Sequence, residues 1–258
     1  MTGPDRSSSP PRILALHAHP DDAEYLCGGT LALLRERGCH VTILTMTPGD
    51  NGSDELPAAE ISRVRREEAR RAAEVIGADC GCLEFRDFRV FVDDASRERV
   101  SEAVRKARPD VVITHPPADY MCDHEATSRL VRDACFTCSA PNYDTHALDP
   151  APPSSKIPHL YYVDAVDATD IFGDPQPAQF VVDVTAAFDL KRKMFACHES
   201  QRAWLKRQHG MDDFIASLER WSASRGSVIG TPYGEGFRQH LGHPYPQDNR
   251  LLELISPG

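Results

Sequence analysis

The densest chemistry in the chain lies at Ala18-His19-Pro20-Asp21-Asp22, directly after the apolar run Ile13-Leu14-Ala15-Leu16. One imidazole and two carboxylates therefore stand where a short buried strand ends. In open α/β sheets the ends of strands are where ligands and metals bind, and a His/Asp set suits a Zn²⁺ that keeps positions open for water. A helix cap at Asp22 accounts for one acid. It leaves the neighbouring acid, and a His three residues before Asp22, without a purpose. A second pair of ligand types, Asp123-His124, follows the apolar run Val111–Thr114. If those two strands are neighbours across a switch point, His19, Asp22 and His124 form a facial set of two imidazoles and one carboxylate. Zn²⁺ favours such a set and Fe²⁺ accepts it, so ligand type leaves the metal open. Asp21 is the candidate general base: a cation lowers the pKa of water towards about 7, and an adjacent carboxylate can take the proton. Read alone, His124 is equally a residue that follows a helix cap at Asp123; the first cluster decides for the metal.

The elements that must position these groups read as alternating strands and helices. Ile13 to Ala18, Val41 to Thr47, Cys82 to Phe85, Val111 to Thr114, Leu160 to Val163 and Phe180 to Val184 read as strands. Ala23 to Arg37, Ala58 to Ile76, Asp93 to Ala107, Glu125 to Cys138 and a long Ala186 to Gln208 read as helices. This alternation predicts an α/β fold, a Rossmann-like three-layer sandwich around a mostly parallel central sheet with right-handed crossovers. Residues 1–11, rich in Ser and Pro, are expected to be a disordered tail, and 12–258 a single domain. The stretch from Ser139 to Pro158 has no periodicity and leans towards a lid. The chain from Arg225 onward reads as loop-like, with a weak apolar segment at Leu251 to Ile255. The Gly28-Gly29 pair lacks the spacing of a phosphate-binding loop and is better explained by close packing of helix on sheet.

Bulk properties narrow the field. The 258 residues carry a net charge of -10, which disfavours nucleic acid because no basic surface would offset phosphate repulsion. Eight cysteines are too few for a disulfide scaffold of this length. Cys80 and Cys82, like Cys135 and Cys138, are spaced as metal pairs but read better as buried free thiols. No apolar run approaches membrane-spanning length, and the first residues lack the apolar core of a secretory signal, so a cytoplasmic location is expected.

The run Ala18-His19-Pro20-Asp21-Asp22-Ala23-Glu24 followed by Gly28-Gly29-Thr30 resembles the signature of the PIG-L/LmbE-like deacetylases. The likeness continues through Thr47-Pro48-Gly49-Asp50, Arg65-Arg66-Glu67-Glu68-Ala69, Asp119-Tyr120 and Asp123-His124. It is fainter in His198-Glu199-Ser200-Gln201 and Gly234-Glu235-Gly236-Phe237. The resemblance implies a zinc-dependent enzyme that removes acetyl from N-acetylglucosamine units. It places the metal on His19, Asp22 and His124, the base at Asp21, a sugar-contacting Arg at Arg65 and an acid for sugar hydroxyls at Asp87. On the residues alone, Arg65 reads as a solvated helix charge and Asp87 as a turn residue. Asp123, beside His124, is placed to orient a ligand or tune a neighbouring acid.

One position departs from the pattern. Many relatives carry a second His three residues before the last ligand, where it assists as acid or oxyanion stabiliser; here it is Met121, which offers no useful proton. His115, His146, His159, His198 and Tyr120 are the candidates to substitute for it, His115 having the first claim because it closes a strand. The resulting reading is a zinc-dependent amidohydrolase acting on a small-molecule N-acyl amino-sugar conjugate, with a homo-oligomer compatible. The alternative, which Met121 permits, is a metal-stabilised carbohydrate-binding or regulatory protein without catalysis. A Rossmann oxidoreductase is disfavoured because the glycine fingerprint is missing.

Overall fold

Strand β1, Arg12–His17, lies inside the sheet, third of its seven strands. Successive side chains of a strand face opposite ways, and both faces here are apolar: Ile13 and Ala15 enter one core, Leu14 and Leu16 the other. A parallel strand covered by helices on both sides requires this double burial. The computed structural model describes residues 9–209 and 213–256. Most of the expected tail, residues 1–8, therefore lies outside the described residues, whereas the carbonyl of Pro11 already accepts the His40 N–H at 2.8 Å.

After β1 come α1 (Asp22–Glu36), β2 (His40–Thr45), α2 (Ala58–Val75), β3 (Asp79–Cys82), α3 (Asp94–Ala107), β4 (Val111–Thr114), α4 (Cys122–Thr137) and β5 (His159–Val163). The rest is β6 (Phe180–Asp183), α5 (Phe188–Ala196), α6 (Glu199–His209), α7 (Phe214–Ile229), β7 (Gly234–Gln239) and α8 (Arg250–Ile255). Among the described residues the strands form one seven-stranded sheet in the order β3-β2-β1-β4-β5-β7-β6. The first five are parallel, and β7 runs antiparallel to both β5 and β6. Leu26, Leu31, Ala72, Met194 and Leu251 of α1, α2, α5 and α8 cover one face. Val100, Val104, Leu130 and Val131 of α3 and α4 cover the other. The expected three-layer α/β sandwich is present. The chain steps outward from β1 to β3, then returns to place β4 on the other side of β1, so the order reverses between β1 and β4. No described helix is long and apolar enough to cross a membrane.

Several boundaries differ from the sequence reading. The third strand is Asp79–Cys82 rather than Cys82 to Phe85, because Thr42 to Thr45 of β2 pair with that earlier segment. The expected long helix from Ala186 breaks in two at Cys197-His198. Glu68 of α2 accepts both the backbone N–H (2.8 Å) and the hydroxyl (2.6 Å) of Ser200, which fixes a fresh helix start there. The segment after Arg225 is not loop-like: α7 continues to Ile229 and β7 follows. Strand β7 hides in the sequence because Phe237 is its one apolar core residue and the buried positions before it are polar or bare. Glu235 is buried against Lys191 Nζ at 2.7 Å, and a Cβ on Gly236 would strike the Asp164 carboxylate. The Glu235 carboxylate also receives the N–H groups of Gly29 (2.8 Å) and Thr30 (2.7 Å). A Cβ on Gly29 would meet Val184 at 2.7 Å, so Gly29 serves close packing, whereas a Cβ on Gly28 would make an ordinary contact with Lys191 at 3.4 Å. All eight cysteines are free, with Cys135 and Cys138 buried, but Cys80 is exposed and Cys82 only half-buried, because β3 is the sheet's edge.

The 139–158 segment does not behave as a lid over the site. Glu102 of α3 accepts the Thr145 hydroxyl at 2.7 Å and the Ala151 N–H at 2.8 Å, and Arg105 donates to the carbonyls of Cys138 and Ala140. Burial pushes the Glu102 carboxyl up, but the Thr145 and Ala151 donors and Lys106 outweigh it and hold it below the ordinary range. A depressed folded pKa contributes stability above the unfolded value, about pH 4.3, that is lost as pH falls through the folded one. Glu102→Ala is expected to speed amide exchange across 141–151 by roughly 30-fold at neutral pH, the equivalent of about 2 kcal/mol for hydrogen bonds to a charged group. The difference from wild type should shrink below pH 4. Unchanged exchange at pH 7 would show that Glu102 does not anchor the loop.

Candidate active site

The chain leaves β1 in a turn that ends at Asp21, the residue before α1, with φ at 96°. A non-glycine residue there costs of order 1–3 kcal/mol, and such strain gathers at functional sites. The turn sets Asp21 and Asp22 side by side at the switch point. Asp22 does close the turn, since its Oδ2 accepts the His19 N–H at 2.7 Å. Its other oxygen, Oδ1, lies 3.5 Å from His124 Nε2. His19 Nδ1 is 3.4 Å from Asp22 Oδ2, and ligand atoms of His19, Asp22 and His124 all fall within 4.8 Å of one another. The trio expected from two distant stretches of sequence is brought together.

Each imidazole is held from behind by a carboxylate. His19 Nε2 lies 3.3 Å from Asp123 Oδ2, and His124 Nδ1 lies 3.0 Å from Asp119 Oδ1. A carboxylate on the far nitrogen fixes ring orientation and raises basicity, as it does behind metal-bound histidines. Asp123 is not a helix cap, because Met121 occupies that position and offers no side-chain bond. Its carboxylate instead accepts the N–H of Phe88 at 2.6 Å, holding Phe88 at φ 62°. Sequence reasoning gave Asp119 no role of its own; its signal was its place in the Asp119-Tyr120 pair. Burial pushes the His19 pKa down, but the Asp123 and Asp22 contacts raise it to about 10. His124 is likewise raised, burial being outweighed by the Asp22 charge and the Asp119 bond. Imidazoles set among carboxylates hold protons that a cation would displace, so the donor set fits a divalent metal in both geometry and charge. Asp123→Asn should weaken metal affinity about 10- to 100-fold while leaving the fold intact, read by chelator competition. An unchanged affinity would confine Asp123 to holding the Phe88 loop.

Asp21 stands beside this trio without joining it and keeps 21% side-chain exposure. Its pKa is raised to about 6, chiefly by burial, against the opposing pull of Arg65. Arg65 is not a solvated helix charge. It is 4% exposed, donates to the Pro20 carbonyl at 2.7 Å and lies 3.6 Å from Asp21 Oδ2. Its guanidinium fills the space over Gly49, whose φ of 76° and close approach to Arg65 leave no room for a side chain. Asp87 is buried, and its oxygens are engaged by the Thr47 hydroxyl and by the Asn51 N–H at 2.8 Å.

The candidates for the missing acid separate cleanly. His146 is exposed beside Glu98 and Asp144. His159 pairs with Asp248 at the start of β5, the end of the strand remote from the site. His198 is fully buried, 3.5 Å from Glu24. His115 is also fully buried: its Nε2 is 3.1 Å from both the Ala18 N–H and Asp22 Oδ2, and its ring stacks on His124 at 3.9 Å. Burial and the neighbouring His124 lower its pKa to about 4, so it is neutral at pH 7. Tyr120, 71% exposed with its ring 5.4 Å from that of His124, stands on the wall of a cavity that Asp21, Asp22 and His124 also line.

A mostly parallel α/β sandwich with a His/Asp/His cluster at its switch point defines a class of protein with a metal-ready site at the carboxyl ends of its strands. Comparison with known proteins makes the assignment specific. Residues 14–135 match the PIG-L family model, described as GlcNAc-PI de-N-acetylase. An uncharacterized deacetylase, YaiS, of Escherichia coli is 32% identical over 135 residues, 48% of this chain and 68% of the relative. A 4-oxalmesaconate hydratase of Pseudomonas putida is 26% identical over 218 residues, 78% of this chain and 76% of the relative. Among solved structures, N,N'-diacetylchitobiose deacetylase from Pyrococcus horikoshii superposes with a TM-score of 0.73 at 26% identity, covering 91% of this chain and 86% of that one. The chain belongs to the PIG-L family.

Proposed function

We propose that this protein is a zinc-dependent hydrolase that removes an N-acetyl or other N-acyl group from an amino-sugar conjugate. The observation that carries the reading is the convergence of His19, Asp22 and His124 beside a strained, partly exposed Asp21, with Asp21, Asp22 and His124 on one cavity wall. Deacetylases among the relatives support the choice of bond, and the amino-sugar substrate named for the Pyrococcus enzyme supports the choice of compound. His19, Asp22 and His124 would hold the metal, with Asp123 and Asp119 as positioning residues behind the two imidazoles. A divalent cation there would polarise the amide carbonyl and make a water acidic near neutral pH.

The remaining work falls to this chain's own groups. Asp21 takes the proton from the attacking water as the new C–O bond forms, then returns it to the nitrogen as the C–N bond breaks, leaving a carboxylate and a free amine. Arg65 keeps Asp21 in place and anionic. The Tyr120 hydroxyl is the donor for the charge that develops on the carbonyl oxygen. Loss of one such donor costs about 10²- to 10³-fold in kcat, so Tyr120→Phe is expected to lose that much with KM little changed. A drop below threefold would return the role to another group. Arg65 and Asp87 are also proposed to meet the sugar, Asp87 through exchange of its present partners.

The hydratase relative favours a second reading, addition of water to a carbon–carbon double bond, which needs the same base and cation. Incubating the metal-loaded protein with N-acylated glucosamine conjugates and assaying primary amine separates the two. Amine release with matching carboxylate supports the hydrolase. No amine from the whole panel, with loss of absorbance from an unsaturated dicarboxylate, supports the hydratase, and sugar binding without either product supports a non-catalytic carbohydrate binder.

A further inference from the structure

Beside the cluster lies a cavity of about 230 Å³ whose far walls are apolar. Tyr25 and Leu26 come from α1, Phe195 from α5, Leu205 from α6 and Phe214 from α7, with Tyr120 at one side. Phe195 and Phe214 stack at 3.9 Å, and Tyr25 tilts against Phe195 at 5.4 Å, so this wall is an ordered aromatic surface. The near wall is Asp21, Asp22 and His124. A second flank of the cluster has another character. Asp50, Arg65 and Asp87 are all buried there, and they follow β2 and β3 in the chain, whereas Tyr120 and the cavity residue Val166 follow β4 and β5. The polar groups reach the cluster from the β2 side, where Arg65 stands behind Asp21, and the aromatic wall formed by α1, α5 and α7 carries no charged group.

An amide held at the cluster also has two arms, one on its nitrogen and one on its carbonyl carbon. We propose that the apolar cavity receives the acyl arm, and that the preferred substrates of this protein are amino-sugar amides of medium-chain acids, near hexanoyl, rather than acetyl. The proposal rests on the deacylase reading above. A hydroxylated sugar belongs on the charged flank, which leaves the acyl chain to the aromatic one. The volume agrees. At about 30 Å³ for a water-sized group, the cavity has room for roughly seven to eight such groups, enough for the five carbons beyond the carbonyl of hexanoyl, whereas acetyl supplies one methyl.

The test is a chain-length series on one sugar: N-acetyl, N-butanoyl, N-hexanoyl and N-dodecanoyl glucosamine as the same methyl glycoside. Burial of one methylene is worth about fourfold in kcat/KM, so hexanoyl should exceed acetyl by on the order of 100-fold, with dodecanoyl falling back. Leu205→Trp fills the cavity and should collapse the hexanoyl-to-acetyl ratio to within about threefold of one. Calorimetric titration of the Asp21→Asn protein with the hexanoyl and acetyl amides should show the same order of affinity. Amine release that is fastest from acetyl and declines with chain length overturns this inference and leaves the deacylase reading standing. So does a dependence on octyl against methyl glycoside with none on acyl length, which would give the cavity to the aglycone. Equal affinity for the two amides overturns it whether or not any amine is released, while absence of amine from the whole series removes the deacylase reading itself.

Discussion

Asp21→Asn is expected to keep its metal and its fold and to lose about three orders of magnitude in kcat. Removal of a positioned general base typically costs 10²- to 10⁴-fold, and an amide of the same shape cannot take the proton. The substitution also suits the backbone, because Asn tolerates the positive φ that Asp21 adopts at 96°. Metal content by elemental analysis separates this loss from a damaged site. The pH profile adds a second check. Burial holds the Asp21 carboxyl up at about 6 despite Arg65, and the base acts only when ionised. In wild type kcat/KM should therefore fall on the acid side at or somewhat below pH 6, since a nearby cation moves that limb lower and not higher. The variant should lack the limb. Turnover within tenfold of wild type would take the role of base away from Asp21.

His124→Ala should remove both the cation and the activity, with residual turnover below about one part in 10³. The imidazole is 2% exposed and bridges Asp22 and Asp119, so its loss leaves a half-buried and a buried carboxylate facing a gap. Proton counting makes the prediction sharper. In the metal-free protein His19 is raised to about 10 and His124 is also raised, in each case because carboxylate contacts outweigh burial. A raised folded pKa means the charged imidazole stabilises the metal-free fold fully below the unfolded value, about 6.5, and progressively less as pH rises through the folded one. Metal must expel these protons. Loading wild type at pH 7 should release one to two protons, measured by calorimetry in buffers of different ionisation enthalpy, and the melting temperature gained from metal should grow between pH 6 and 8.5. Proton-neutral loading would mean that these imidazoles are not the ligands.

What the sequence revealed and what it concealed follow from the range of the interactions. Strands β1, β2 and β4 and the first four helices were legible because apolar runs and helical periodicity are local signals, and both faces of β1 are apolar, whereas the exposed edge strand β3 was misplaced by three residues. His19, Asp21 and Asp22 were legible because they are adjacent, and His124 because a switch point predicts which strand ends meet. Strand β7 was not, since Glu235 is a core residue only by virtue of Lys191, 44 positions earlier. The break at His198 depends on Glu68, 132 positions from Ser200, and no local pattern announces it. Asp119 was overlooked for the same reason: a carboxylate behind an imidazole is defined by the ring it faces.

One helix, α2, carries both Arg65, against the base, and Glu68, which fixes where α6 begins. The two residues lie three apart, on the same side of the helix. Any shift of α6 that reshapes the cavity at Leu205 is thus mechanically tied to the placement of Asp21. Selection for a new acyl length has a freer path through α7, where Phe214 and Ser217 face the same space without that bond to α2. Diversification of substrate range among close relatives should therefore be concentrated in α7, with the α2–α6 strut left alone as a shared chassis.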